Sequence, residues 1–133
     1  MILDTSFLID LMNSDERAVA WATTIEDLDA AQRVPVHVVY ELYVGVGYTE
    51  TPTSEVAKIQ QVIESRPIIE TTEQIAKLAG RLDGQLRREG NRIASGDILI
   101  GATARHFDEP VVTGNPSDFE PIPDVNVQTY NDS

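Results

Sequence analysis

Short apolar runs alternate with helix-length amphipathic segments along the whole chain, and that alternation leaves few folds open. Met1-Ile2-Leu3 stops at Asp4, and a helical spacing follows through Phe7, Leu8, Leu11 and Met12. Ser14 reads as the cap of a second helix, with Asp15 and Glu16 in its first turn and Val19, Trp21, Ile25 and Leu28 on its apolar side. Val34-Pro35-Val36 reads as a brief strand, and His37 to Val46 as a helix. After a loop over Thr49 to Thr53, Ser54 opens a helix through Val56, Ile59, Val62 and Ile63 that stops before Pro67. Pro67 to Glu70 suits a strand. Thr72 then opens a long helix with Ile75, Leu78, Ala79, Leu82 and Leu86 on one face, closed near Gly90. Ser95 caps a helix to Phe107, and strands at Val111 to Thr113 and Val125 to Val127 complete the pattern. The expected product is a single α/β domain over residues 1–133, built on a mainly parallel sheet.

A parallel sheet of this kind binds ligands beyond the carboxyl ends of its strands, so the polar residues placed there carry the functional information. Asp4 directly follows the first strand and starts a helix. It suits an ordinary N-cap as well as a ligand. Glu41 is flanked on its helix face by Val38, Leu42 and Gly45. A carboxylate on an apolar stripe costs several kcal/mol unless it is paired, protonated or bound to a cation, or unless it reaches out to solvent. Asp97 heads the otherwise apolar helix Ile98-Leu99-Ile100-Gly101-Ala102, where a first-turn acid also complements the helix dipole. Asn115 and Asp118 lie in the loop after Val111-Val112-Thr113, where both are also normal turn residues. Together these residues suggest an oxygen-rich site for a hard cation such as Mg²⁺ or Mn²⁺, because clustered carboxylates without one repel each other.

The set Ile2-Leu3-Asp4-Thr5-Ser6, Tyr40-Glu41-Leu42-Tyr43-Val44-Gly45, Gly96-Asp97-Ile98-Leu99-Ile100-Gly101-Ala102-Thr103-Ala104 and Val112-Thr113-Gly114-Asn115 through Asp118-Phe119 resembles the PIN-domain proteins. The similarity runs in order along essentially the whole chain, and it is to the VapC-like toxin ribonucleases of that family. The resemblance implies a three-layer α/β/α fold with a mainly parallel central sheet. It also implies Mg²⁺- or Mn²⁺-dependent RNA cleavage by a homodimer that a cognate antitoxin protein holds inactive. Carried over by position, Asp4 and Asp97 become metal ligands, and Glu41 completes the pocket directly or through water. The fourth acid is the departure: Asn115 and Asp118 both occupy plausible registers, and Asp118 is preferred because it keeps the charge. Thr5, Ser6 and Thr113 are candidate supporting hydroxyls. The family often has a basic residue before the post-strand Asn, where this chain has Gly114, so one phosphate contact is in question.

Composition bounds the alternatives. The absence of cysteine excludes a disulfide scaffold, a cysteine nucleophile and a thiolate zinc site. No apolar run approaches the ~20 residues that span a bilayer. Asp4 and Asp10 interrupt the first apolar segment, so a secretory leader is not expected and the cytoplasm is. The net charge of −12 argues against a broad basic face for nucleic acid. Only two of the ten bases are lysines, Lys58 and Lys77, and the acids are spread along the chain. Such a surface suits concentrated salt, where the Debye length is ~3 Å at 1 M, and the expected source is a halophilic archaeon. Arg87, Arg88 and Arg92, just before the Asp97 segment, could meet RNA phosphates or form a solvated helix end. His37 and His106 are too few for a zinc site. The competing functions are a PIN-like binding module with weak catalysis, a nuclease acting on another nucleic acid, and a phosphoacceptor receiver domain. For the last, Lys58 and Lys77 are badly placed, since neither follows a late strand.

Overall fold

The computed structural model describes residues 1–131, so Asp132 and Ser133 of the expected single domain lie outside the described residues. In chain order the elements are β1 (Ile2–Leu3), α1 (Thr5–Met12), α2 (Glu16–Asp27), β2 (Val34–Pro35), α3 (Val36–Tyr48), α4 (Pro52–Ile63), β3 (Ile68–Ile69), α5 (Glu73–Arg88), α6 (Ser95–Phe107), β4 (Val111–Val112) and β5 (Val127–Gln128), with a short 3₁₀ turn at Pro116–Asp118. Every strand pairing is parallel: β1 with β4, β4 with β5, and β2 with β3. A parallel bridge between Ile2 and Arg33 joins the two ladders into the order β3-β2-β1-β4-β5. The expected three-layer α/β/α architecture is the one observed.

The strand order places β1 in the middle, with the chain running outward on one side through β2 and β3 and on the other through β4 and β5. The seam between β1 and β4 is therefore the point where the winding reverses, and ligand sites in open α/β sheets form beyond such a point. The registers Ile2–Val111 and Leu3–Val112 bring Asp4 and Thr113 out of the sheet as neighbours. Ile2, Leu3, Phe7, Leu8, Val111, Val112 and Phe119 are fully buried, so the strand residues on both sides of the seam and the segments leaving it are anchored in the core. Each such side chain contributes about 1.5–3 kcal/mol relative to an exposed one.

Several element boundaries differ from the sequence reading. The cap of α2 is Asp15, whose carboxylate accepts from the N–H groups of Arg17 and Ala18, and Ser14 instead sits in the left-handed region at φ 57°. Asp competes well for an N-cap, and the tight turn between α1 and α2 displaces Ser14. Helix α4 begins at Pro52 and not at Ser54, because proline's fixed φ suits the first helical position. Ala94, not Ser95, stands at the cap of α6, and no side chain caps that end. The last strand is Val127–Gln128, two residues later than the apolar run Val125 to Val127 suggests, because its register is set by pairing with Val111 and Val112. Thr72 caps α5 as expected, accepting from the N–H of Ile75. That helix ends in a Schellman motif, with Asn91 N–H donating to Leu86 and Gly90 at φ 82°.

Candidate functional site

Asp4 begins the site because three donors, two from α1 and one from the segment after β4, converge on its carboxylate. As the cap of α1 it accepts from the N–H of Phe7 at 2.9 Å, so its structural and its ligand readings describe the same side chain. Ser6 Oγ donates to its two oxygens at 2.9 and 3.0 Å, and Thr113 Oγ1 donates across the seam to Oδ2. Gly114 N–H in turn donates to Ser6 Oγ, and Asn115 N–H to Thr113 Oγ1, both at 2.9 Å. The loop after β4 thus orients the two hydroxyls that hold Asp4. With only 5% of its surface exposed, Asp4 has its pKa pushed up to about 6. Burial is the main cause and the charge of Asp118 adds to it, against the opposing effect of the three hydrogen bonds.

Asp97 lies in the first turn of α6, half-buried. Its pKa is also pushed to about 6, first by burial and then by the charges of Asp118, Glu41 and Asp4, in that order. The charges of the other three expected acids therefore all bear on Asp97, and that of Asp118 bears on Asp4 as well, although Asp118 is exposed on the 3₁₀ turn. Asn115, the competing residue in that loop, is exposed and holds Thr113 through its backbone. Glu41, a turn and a half into α3, accepts from Thr5 Oγ1 at 2.9 Å. The three supporting hydroxyls read from the sequence, Thr5, Ser6 and Thr113, each bond a member of the acidic set.

Among the described residues, no three His, Asp or Glu side chains form by themselves a group that could hold a metal ion. The donor set nevertheless suits a hard divalent cation that keeps much of its water and takes one or two carboxylates directly. Two acids whose pKa values are raised by burial and by neighbouring carboxylates suit such a site, because a cation relieves both the burial cost and the mutual repulsion.

Two features escaped the sequence reading. His37 Nε2 stands 3.6 Å from Glu41 Oε1, and its ring lies 5.3 Å from that of Tyr40. The spacing of four residues on one helix was the available signal. Gly96, next to Asp97, leaves room for that ring, since a Cβ there would stand 2.6 Å from His37 Nε2 and displace it. The second is Tyr130, buried behind the post-β4 loop with its hydroxyl donating to Asp10. Of the three arginines considered for phosphate, Arg87 is exposed and bonded to Asp83 at 2.8 Å, while Arg88 and Arg92 are exposed.

The PIN domain family matches residues 1–123 of the chain. A curated relative, Ribonuclease VapC of Rickettsia bellii, is 27% identical over 132 residues, covering 97% of this chain and 95% of that protein. Among solved structures, VapBC2 from Rickettsia felis bound to a promoter DNA fragment superposes with a TM-score of 0.90 at 20% identity, covering 98% of each chain. DNA-bound VapBC from Salmonella typhimurium gives a TM-score of 0.88 at 21% identity, covering 98% of this chain and 97% of that one.

Proposed function

The chain belongs to the PIN-domain family, and from that premise we propose that it is a VapC-like endoribonuclease, the toxin of a toxin-antitoxin pair. The observation that carries the proposal is the meeting of Asp4, Glu41, Asp97 and Asp118 beyond the β1–β4 seam, where each acid's charge bears on Asp97. Asp4 and Asp97 are the residues to hold Mg²⁺ or Mn²⁺, with Glu41 and Asp118 bonding directly or through water. A cation bound there would supply Lewis-acid activation of water and neutralise charge at the scissile phosphate. The chain's own part is orientation: Ser6, Thr113 and the Phe7 N–H fix the Asp4 carboxylate, and Thr5 fixes Glu41. No side-chain nucleophile is needed.

The proposed substrate is RNA, and the proposed setting is the cytoplasm. No helix among the described residues is long and apolar enough to cross a membrane. Protein partners, a cognate antitoxin and a second copy of the chain, are supported by the relatives' VapBC complexes and by the exposed apolar face of α3, where Tyr40, Tyr43, Val44 and Tyr48 meet solvent. The likeness to the PIN family along nearly the whole chain leaves a receiver domain without support.

The test is cleavage of structured and unstructured RNA at high salt with Mg²⁺, with Mn²⁺ and with a chelator, alongside single-stranded DNA. Cation-dependent RNA cleavage that a co-expressed antitoxin suppresses is the expected result. Cleavage of DNA alone would move the protein to another nuclease class. Nucleic-acid binding without cleavage in either cation would leave a binding module.

A further inference from the structure

The segment after β5 is tied to the back of the loop that supports Asp4. Tyr130 is buried, its ring 5.3 Å from Phe7, and its hydroxyl donates to Asp10 Oδ2 on α1. Asn131 Nδ2 donates to the carbonyl of Gly114 at 2.9 Å. Gly114 itself has no room for a side chain: a Cβ would stand 2.6 Å from Tyr130 Oη, 3.1 Å from Asp10 Oδ2 and 3.4 Å from Asn131 Nδ2. The glycine is needed for this close approach and not for its backbone freedom, since Gly90 is the only described glycine at positive φ. At its other backbone group, Gly114 N–H bonds Ser6 Oγ, which bonds Asp4. A hydrogen-bonded path thus runs from Asn131 through Gly114 and Ser6 to the most buried acid of the site.

We propose that Tyr130 and Asn131 are positioning residues for the acidic centre, acting through Gly114 to hold the Thr113–Asn115 loop at the distance from which Ser6 and Thr113 orient Asp4. Neither residue touches the substrate. Their effect is on the affinity and geometry of cation binding, transmitted through Gly114 to the hydroxyls that bond the Asp4 ligand. The inference rests on the proposal that the acidic centre binds a divalent cation.

The experiment uses the full chain and reads two quantities. One is the Mn²⁺ dissociation constant, by electron paramagnetic resonance. The other is amide hydrogen exchange at Gly114 and Asn115 in metal-free protein. Asn131→Ala and Gly114→Ala are each expected to weaken Mn²⁺ binding about tenfold and to speed exchange at both amides. Ile25→Val, a buried change on α2, serves as a control that lowers the melting temperature while leaving both readouts unchanged. Tyr130→Phe removes the atom nearest the Gly114 position, so adding it to Gly114→Ala should recover part of the lost affinity. The pair must be non-additive, because the two residues share one contact. Additive losses, or tail variants that behave as Ile25→Val does, overturn the proposal. Wild-type protein that binds no Mn²⁺ would overturn the cation reading instead, and the exchange data would still decide whether the tail holds the loop.

Discussion

Thr113 and Asp4 leave neighbouring parallel strands in register, and the threonine hydroxyl donates to the aspartate across the seam. A hydrogen bond to a charged group contributes about 1.5–3 kcal/mol, and losing it leaves a buried carboxylate with two donors instead of three. Thr113→Val keeps the shape and removes the donor. It should destabilise the protein by about 1–3 kcal/mol at pH 8 in urea unfolding, and raise the Asp4 pKa further. An unchanged midpoint would mean that Asp4 does not depend on this contact.

Asp97 tests the acidic set from the opposite direction. Its half-buried charge is opposed by three other acids, so Asp97→Asn should raise the melting temperature of metal-free protein at pH 8 while reducing cleavage by about two orders of magnitude or more. Asp4→Asn should reduce cleavage equally without unfolding the chain. Full activity in either variant would remove that residue from the site.

Proton linkage gives a third expectation. Asp4 and Asp97 each have a folded pKa of about 6, above the ordinary value of 3.8, so between those values the folded state binds more protons than the unfolded one. Their contribution to metal-free stability is therefore present below about pH 4 and is lost as pH rises through about 6. Cation binding runs the other way, since it must displace those protons. Mn²⁺ affinity should climb steeply up to about pH 6 and level off above it, as measured by calorimetric titration at several pH values. A flat profile from pH 5 to 8 would contradict the raised values.

The fourth ligand position separates by substitution. Asp118 acts on both Asp4 and Asp97 through its charge, whereas Asn115 supports Thr113 through its backbone. Asp118→Asn should weaken Mn²⁺ binding and lower the pKa of both acids, followed by carboxyl carbon NMR. Asn115→Ala should do much less. The reverse order would assign the position to Asn115.

The net charge of −12 sets the response to salt. Screening between surface acids improves as the Debye length falls to ~3 Å in 1 M salt. Raising KCl from 0.1 to 2 M should lift the melting temperature by about 4 °C or more, equivalent to about 1 kcal/mol. A lower melting temperature at high salt would argue against adaptation to concentrated salt.

The alternation of apolar runs was enough to place every strand within two residues, and with them Asp4 at a strand end and Asp97 in the first turn of a helix, because burial pattern and helix period are local properties of the chain. Local rules could not choose between neighbouring cap residues, which is why Asp15 replaces Ser14 and why α6 begins after Ala94 with no capping side chain. Contacts between distant segments left no local trace. His37 against Gly96 and Tyr130 against Asp10 and Gly114 depend on helices and loops meeting in three dimensions.

The hydrogen bond that completes Asp4 spans 109 residues of sequence. During synthesis, β1 must wait for β4 before the seam closes, and contacts this distant form late and slowly. A partly made chain consequently carries Asp4, Glu41 and even Asp97 without the loop that aligns them. Such a fragment would lack an aligned acidic centre, so whatever activity the centre supports would begin only after the segment following β4 has emerged and docked, leaving a partner all of that interval in which to be ready.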